Sequence, residues 1–237
     1  MQINLTPNDA VFVFIQARFG STRLPGKVMK PLLNQNLLSW SVERALKIHS
    51  GIQVAVITGD KKENIPIIVW CNDNDIPIFL GSEDDVLNRF RKASDSLQAK
   101  TVIRLTADNP LFDFVAARAL LTVHLIENAD YSCNKSEVGS GMPDGIGVEI
   151  FSAHILNRLD DMNLSNSHRE HVNDYILENP NQFKKCFWLK LPHDYSNYSF
   201  TIDTSEDFNK ILNWLNKYDQ FEDSDYWRKI ILNEDKS

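Results

Sequence analysis

Val11-Phe-Val-Phe-Ile-Gln-Ala-Arg-Phe-Gly-Ser-Thr-Arg-Leu-Pro-Gly-Lys27 is an apolar run that turns abruptly into a cationic loop. Five consecutive apolar residues from Val11 to Ile15 read as a strand buried on both faces. Gly20, Pro25 and Gly26 break that strand, and Ser21 and Thr22 set small hydroxyls beside backbone N–H groups. Arg18, Arg23 and Lys27 crowd three cations into ten residues. A polyphosphate needs both features, N–H donors for its oxygens and fixed cations for its charge. The competing account is a solvated basic surface loop. A net charge of −7 weakens it, because clustered cations run against that background. The stretch predicts a phosphate-binding loop at the carboxyl end of the first strand.

Downstream, strand and helix alternate. Apolar residues at helical spacing predict a helix over 37–48 capped by Asn36, and 52–58 is a second buried-type strand. A helix over 61–74 and a strand over 76–80 follow. A helix over 82–98 then opens on a Ser82/Asp85 capping box, before a fourth strand over 101–106 and a helix over 112–127. Strands that are apolar throughout, alternating with helices, indicate an α/β fold with a mostly parallel sheet covered on both faces. Ligands of such sheets bind beyond the carboxyl ends of the strands. That rule gathers the cationic loop, Thr58 to Asp60, Gly81 with Ser82, and Ala107 to Asn109 along one edge.

Past Ala129 the pattern changes. Residues 131–147 are rich in Gly, Ser, Asn and Pro and read as a long loop between short strands. Residues 146–151 look like a strand leading to a short helix. Ser167 to Glu170 resembles a capping box for a helix ending near Pro180. Strands are predicted over 184–191 and 198–202, and helices over 207–218 and 225–232. With no repeat and no separating linker, the chain reads as one mixed domain carrying a small inserted, partly antiparallel lobe.

The composition bounds the partners. In 237 residues, 43% apolar and 24% charged is an ordinary globular balance. A pI of about 5.4 argues against a broad nucleic-acid-binding face. Cys71, Cys133 and Cys186 are few and far apart, which suggests neither a disulfide framework nor a zinc site. The first residues lack a basic and apolar leader, and no stretch approaches the roughly 18 apolar residues of a membrane span. A cytoplasmic protein without membrane partners is expected.

Two carboxylates focus the chemistry. Asp108 follows the fourth strand, so it falls beside the cationic loop, where it would repel the phosphates that the loop attracts. Mg²⁺ bridging carboxylates and phosphate oxygens resolves that conflict, with Mn²⁺ as an alternative ion. The plain account of Asp108 is an Asx turn before Asn109-Pro110, and that of Asp203 a helix cap. Two such carboxylates, each after an apolar strand, favour the metal. Arg104, four residues before Asp108, could meet a base, a substrate carboxylate or a buried acid. His168, Glu170 and His171 lack the H-E-x-x-H spacing of a zinc site. Asp73-Asn-Asp75 precedes a strand and so lies at the wrong edge. Neither a Ser nucleophile elbow nor a dinucleotide fingerprint is present, which leaves displacement at phosphorus by positioning and charge neutralisation.

Residues 14–27 resemble the signature of the cytidylyltransferases that activate acidic sugars, most closely the branch typified by spore coat polysaccharide biosynthesis protein F. The similarity continues through 81–90, 104–111, 143–149, 167–171 and 201–207 and so spans nearly the whole chain. It implies a Rossmann-like nucleotidyltransferase fold, a homodimer, and transfer of CMP from CTP to a hydroxyl of an acidic sugar with release of pyrophosphate. It divides residues 1–237 into a nucleotide-binding half (1–128), an acceptor-binding or dimerisation lobe (129–200) and a return to the metal site with C-terminal helices (201–237). By the resemblance, Arg18 and Lys27, with Arg23, hold the triphosphate, helped by the backbone from Ala17 through Gly20 to Ser21. Asp108 and Asp203 hold the metal. Thr58, Asp60, Gly81 and Ser82 fall where base and ribose are held, with Arg104 a further nucleotide contact. Asp144, Glu149, Arg169 and His171 are the acceptor-side candidates. Two rival readings are a sugar-1-phosphate nucleotidyltransferase of the same fold and a nucleotide-binding module without catalysis.

Overall fold

A computed structural model of the chain describes residues 5–6, 9–184, 186–188, 190–218 and 223–234. The elements run β1 (Val11–Gln16), β2 (Pro31–Leu32), β3 (Gln35–Asn36), α1 (Leu37–Leu46), β4 (Gln53–Gly59), α2 (Ile65–Asp73), β5 (Ile78–Gly81), α3 (Val86–Ser96), β6 (Thr101–Thr106) and α4 (Phe114–Ile126). There follow β7 (Tyr131–Cys133), β8 (Glu149–Ser152), α5 (Ala153–Asp160), α6 (Asn166–Glu170), α7 (Asp174–Glu178), β9 (Cys186–Trp188), α8 (Ser205–Lys217) and α9 (Tyr226–Glu234). Among the described residues, seven strands form the main sheet in the order β5-β4-β1-β6-β8-β7-β9. β5, β4, β1 and β6 are mutually parallel; β8 runs antiparallel to both β6 and β7, and β9 parallel to β7. β2 and β3 make a separate antiparallel pair.

The alternation of β1 explains the two covered faces. Val11, Val13 and Ile15 point into a core shared with Leu38 and Val42 of α1, Ile67 of α2 and Leu120 of α4. Phe12 and Phe14 point the other way, against Leu87 and Phe90 of α3 and Ile155 and Leu156 of α5. A strand with no polar side is stable only between two such layers, which places β1 near the middle of the sheet. A third core joins Leu32, Leu37 and Trp40 to Phe200, Ile202, Ile211 and Trp227, and so packs α8 and α9 beside the cationic loop.

Several predicted boundaries move. Asn36 caps α1 as expected, accepting from Ser39 N–H at 2.8 Å. Asp85, rather than Ser82, caps α3, accepting from Asn88 N–H at 3.0 Å, while Ser82 Oγ accepts from Asp85 N–H at 3.1 Å. The Ser82/Asp85 pair is thus a turn ahead of the helix. Ser165 caps α6 in place of Ser167, and the chain leaves helical geometry at His171 before α7 begins. Residues 198–202 do not form the expected strand. Their backbone groups are taken by two loops: Phe200 N–H donates to Asp144 O (2.9 Å) and Ile202 N–H to Asp108 O (2.9 Å), leaving one bridge, Asp144 with Ser199. Of the strand expected over 184–191, β9 is the described part, and residues 185 and 189 lie outside the described residues.

Candidate active site

The loop after β1 is fixed by its own turns. Gly26 adopts φ +67, a left-handed conformation that suits glycine, and its N–H donates to Phe19 O at 3.0 Å. Lys27 then begins a single 3₁₀ turn and points inward, its side chain only 8% exposed. Its ammonium donates to Asp108 Oδ2 (2.7 Å), Asp203 Oδ1 (2.8 Å) and Ile202 O (3.0 Å). Three donors meet three oxygens, and the cation is saturated. Because Ile202 N–H also donates to Asp108 O, the two aspartate-bearing turns are bonded backbone to backbone. Asp203 N–H in turn donates to Asp207 Oδ2 (3.2 Å), a member of the capping box that Thr204 makes at the start of α8. Arg23 pairs with the other side of Asp203 at 3.0 Å, although its own side chain is 62% exposed.

These groups stand at one end of a cavity of about 300 Å³ beyond the carboxyl ends of β1 and β6. Arg18, Ser21, Arg104 and His171 also line it. Arg104 is held from behind, its guanidinium donating to Glu149 Oε1 (2.7 Å) and Gln16 Oε1 (3.0 Å). Arg104 and Glu149 are direct register partners of antiparallel β6 and β8, which explains the close pairing. Glu149 is 2% exposed and also accepts from Tyr131 Oη (3.0 Å) and Lys135 Nζ (3.4 Å). Burial alone would push the Glu149 carboxyl up; Lys135, Arg104 and Tyr131 outweigh it and hold it below the usual carboxylate range. Glu149 therefore positions Arg104 from beneath the cavity.

Other predicted residues are dispersed. Ala17 N–H continues the sheet by donating to Ile57 O (3.1 Å), and Phe19 N–H donates to Asn64 Oδ1 (2.8 Å), so these two amides of the loop are already engaged. Gly20 lies in the same loop, outside the cavity lining. Thr58 is fully buried in β4, and Asp60 is exposed, its N–H donating to Gly81 O at 2.9 Å. Ser82 and Arg169 line a neighbouring hollow, where Arg169 pairs with Asp85 (2.8 Å) and with Asp160. Asp144 stands apart, accepting from the Thr201 hydroxyl at 3.0 Å. Sequence reasoning missed Gln16, Glu83, Arg89 and Thr106, all of which line the cavity. Arg89 is 3% exposed; burial, together with Arg104 and Arg18, pushes its guanidinium below the ordinary value, with Glu83 opposing.

The donor set around Lys27 suits a hard cation. Two carboxylates and a backbone carbonyl converge on one positive atom, and oxygen ligands of that kind are what Mg²⁺ takes. Among the described residues no group of three or more His, Cys, Asp or Glu side chains is arranged to hold a metal unaided. An ion there would need oxygens from a ligand as well.

The cytidylyltransferase family model matches residues 12–233. The chain belongs to this family. It is 34% identical over 211 residues to the spore coat polysaccharide biosynthesis protein SpsF of Bacillus subtilis, covering 86% of this chain and 85% of that one. A 3-deoxy-manno-octulosonate cytidylyltransferase of Bdellovibrio bacteriovorus is 33% identical over 102 residues, 41% of this chain and 38% of its own. Among solved structures, a cytidylyltransferase from Leptospira borgpetersenii superposes with a TM-score of 0.86 at 28% identity, covering 95% of each chain. The Rossmann-like nucleotidyltransferase fold and the assignment to the nucleotidyltransferases follow. Among the described residues no helix is long and apolar enough to cross a membrane.

Proposed function

We propose that this cytidylyltransferase transfers CMP from CTP to a hydroxyl of an acidic sugar, sialic-acid-like or ulosonic, with Mg²⁺ or Mn²⁺ as the ion. The acceptor oxygen bonds to the α-phosphorus, the bond from that phosphorus to the bridging oxygen breaks, and pyrophosphate leaves; the hydroxyl proton passes to solvent. The observation that carries the reading is Lys27, an ammonium at the carboxyl edge of the sheet, held by Asp108, Asp203 and Ile202 O. Lys27, Arg18 and Arg23 neutralise the triphosphate, within a loop that Ala17, Gly20 and Ser21 shape. Asp108 and Asp203 hold the ion, which when bound draws charge from the α-phosphate and the attacking oxygen. Thr58, Asp60, Gly81 and Ser82 support the nucleoside side from the ends of β4 and β5.

Arg104 and His171 face the acceptor from the cavity wall, with Arg169, Asp144 and Glu149 fixing the surrounding lobe. The partial similarity to an octulosonate cytidylyltransferase supports an acidic sugar as acceptor. So does Arg104 in the cavity wall, whose guanidinium complements a carboxylate. The reading also takes the protein as a cytoplasmic homodimer, with residues 1–128 for nucleotide, 129–200 for acceptor and pairing, and 201–237 completing the metal site. Asp108→Asn and Lys27→Ala each test it. Turnover should fall at least about a thousandfold in both, with the far-UV circular dichroism of a folded chain retained even where the loss of a Lys27 ion pair lowers the melting temperature. Near-wild-type turnover in either variant would remove its residue from the site.

A further inference from the structure

The far wall of the cavity contains a carboxylate that the triphosphate cannot use. Glu83 lies just past β5, three strands from the turn after β6 that carries Asp108. At about 4.8 Å per strand, roughly 14 Å separates the two ends. A nucleotide whose phosphates meet Lys27 would lay its base toward Glu83.

Glu83 is held in place. Its Oε2 accepts from Asn64 Nδ2 at 3.1 Å. Asn64 is fully buried, donates also to Gly59 O (3.1 Å) and accepts from Phe19 N–H (2.8 Å), which ties the carboxylate to the cationic loop. A Cβ at position 59 would stand 1.6 Å from Glu83 Oε2, so the carboxylate can lie there only because residue 59 is glycine. From the other side Arg89 hydrogen-bonds the carbonyls of Ser82 and Glu83 and pins their turn. Arg89 Nε is buried without a partner. Glu83 Oε1 has no protein hydrogen-bond donor among the described residues. Val86 supplies an apolar surface beside it.

A fixed acceptor next to arginine donors and an apolar wall is a pattern for one base. Cytosine presents its 4-amino group as a donor, with N3 and O2 as acceptors; uracil presents O4 as an acceptor instead. A carboxylate accepts from the amine and repels O4. We propose that Glu83 selects cytosine over uracil, its carboxylate accepting from the 4-amino group while Arg89 donates to the ring acceptors. The proposal rests on CTP being the nucleotide of this site.

The test compares kcat/KM for CTP, for UTP and for 2-pyrimidinone riboside triphosphate, which lacks the amine, in wild type, Glu83→Gln and Glu83→Ala. Wild type should favour CTP over both by about a hundredfold or more, since a site built to bond a polar group rejects analogues that lack it. Glu83→Gln keeps the shape and can also donate, so the CTP/UTP ratio should fall at least about tenfold. Glu83→Ala should erase most of the advantage of CTP over the pyrimidinone. If Glu83 merely supported Asn64 and the turn, rates with all three nucleotides would fall together and the ratios would stay within about twofold of wild type. That outcome in both variants overturns the role of Glu83 alone. A wild type without preference for CTP overturns the CTP reading and this proposal with it.

Discussion

Lys27 donates to three oxygens at once, and that saturation has a measurable consequence. Any cation entering between Asp108 and Asp203 must displace the ammonium, so Lys27→Met should tighten Mn²⁺ binding without nucleotide, read by calorimetry, by at least about tenfold. Arg23 pairs with Asp203 from an exposed position, where an ion pair contributes little, so Arg23→Met should change the affinity by about threefold or less. Equal effects of the two variants would contradict a direct exchange at the Lys27 position. Glu149 offers a second test of the same surroundings. Glu149→Gln leaves Arg104 and Lys135 facing a neutral amide and should cost on the order of 3 kcal/mol in denaturant unfolding. Tyr131→Phe, which removes the hydroxyl that Glu149 accepts from, should cost about 1 kcal/mol. A cost for Glu149→Gln no larger than that would show that its charge is not what holds Arg104.

Helix α8 reaches the site through its first turn. Thr204 and Asp207 cap each other's backbone, and Asp207 also accepts from Asp203 N–H. Thr204→Ala should therefore cost about 1 kcal/mol of stability and also weaken Mn²⁺–CTP binding, whereas an Asn36→Ala loss at α1 should cost about the same with binding unchanged. Equal binding in both would uncouple the cap from Asp203. β1 and the turn after it were legible in sequence because an unbroken apolar run reads as a strand between two covering layers and Gly20, Pro25 and Gly26 cannot continue it. Asn36 was legible for the same reason: a capping residue abutted a helical stripe. The start of α3 was not, since Ser82 and Asp85 are both good caps and only the turn made by Arg89 decides between them. Residues 198–202 have the composition of a strand, yet their partners are loops far away in sequence, which local pattern cannot reveal. Arg89 did leave a signal: it sits on the stripe Val86, Arg89, Phe90, Ala93, where every other member is an apolar core residue. A charge on a buried stripe marks a residue with a buried task.

Across the molecule, one edge of the sheet gathers the cationic loop, Glu83, Asp108 and, just before α8, Asp203, while the opposite edge carries a titration coupled to stability. There His124, 1% exposed, lies between Ser132 Oγ (3.0 Å) and Ser152 Oγ (3.2 Å). Ser152 donates to Ala129 O, so it accepts from Nε2–H, which leaves Nδ1 facing the Ser132 hydroxyl. Burial pushes His124 down to about 4, with Asp130 opposing and His154 adding to the shift. The unfolded imidazole titrates near the ordinary value of about 6.5. Below that pH the unfolded state binds the extra proton, so stability is full above about 6.5 and is lost as pH falls toward 4. Unfolding free energies at pH 7, 6 and 5 should fall less steeply in His124→Gln than in wild type, and identical slopes would contradict the assignment. The reaction itself is tested most directly by pyrophosphate release with CTP, UTP, ATP and GTP in the presence of Mg²⁺, each against acidic sugars and against sugar phosphates. Release confined to CTP with an unphosphorylated acidic sugar is the predicted result; release with UTP and a sugar phosphate, or CTP binding that is indifferent to Mg²⁺, would contradict it.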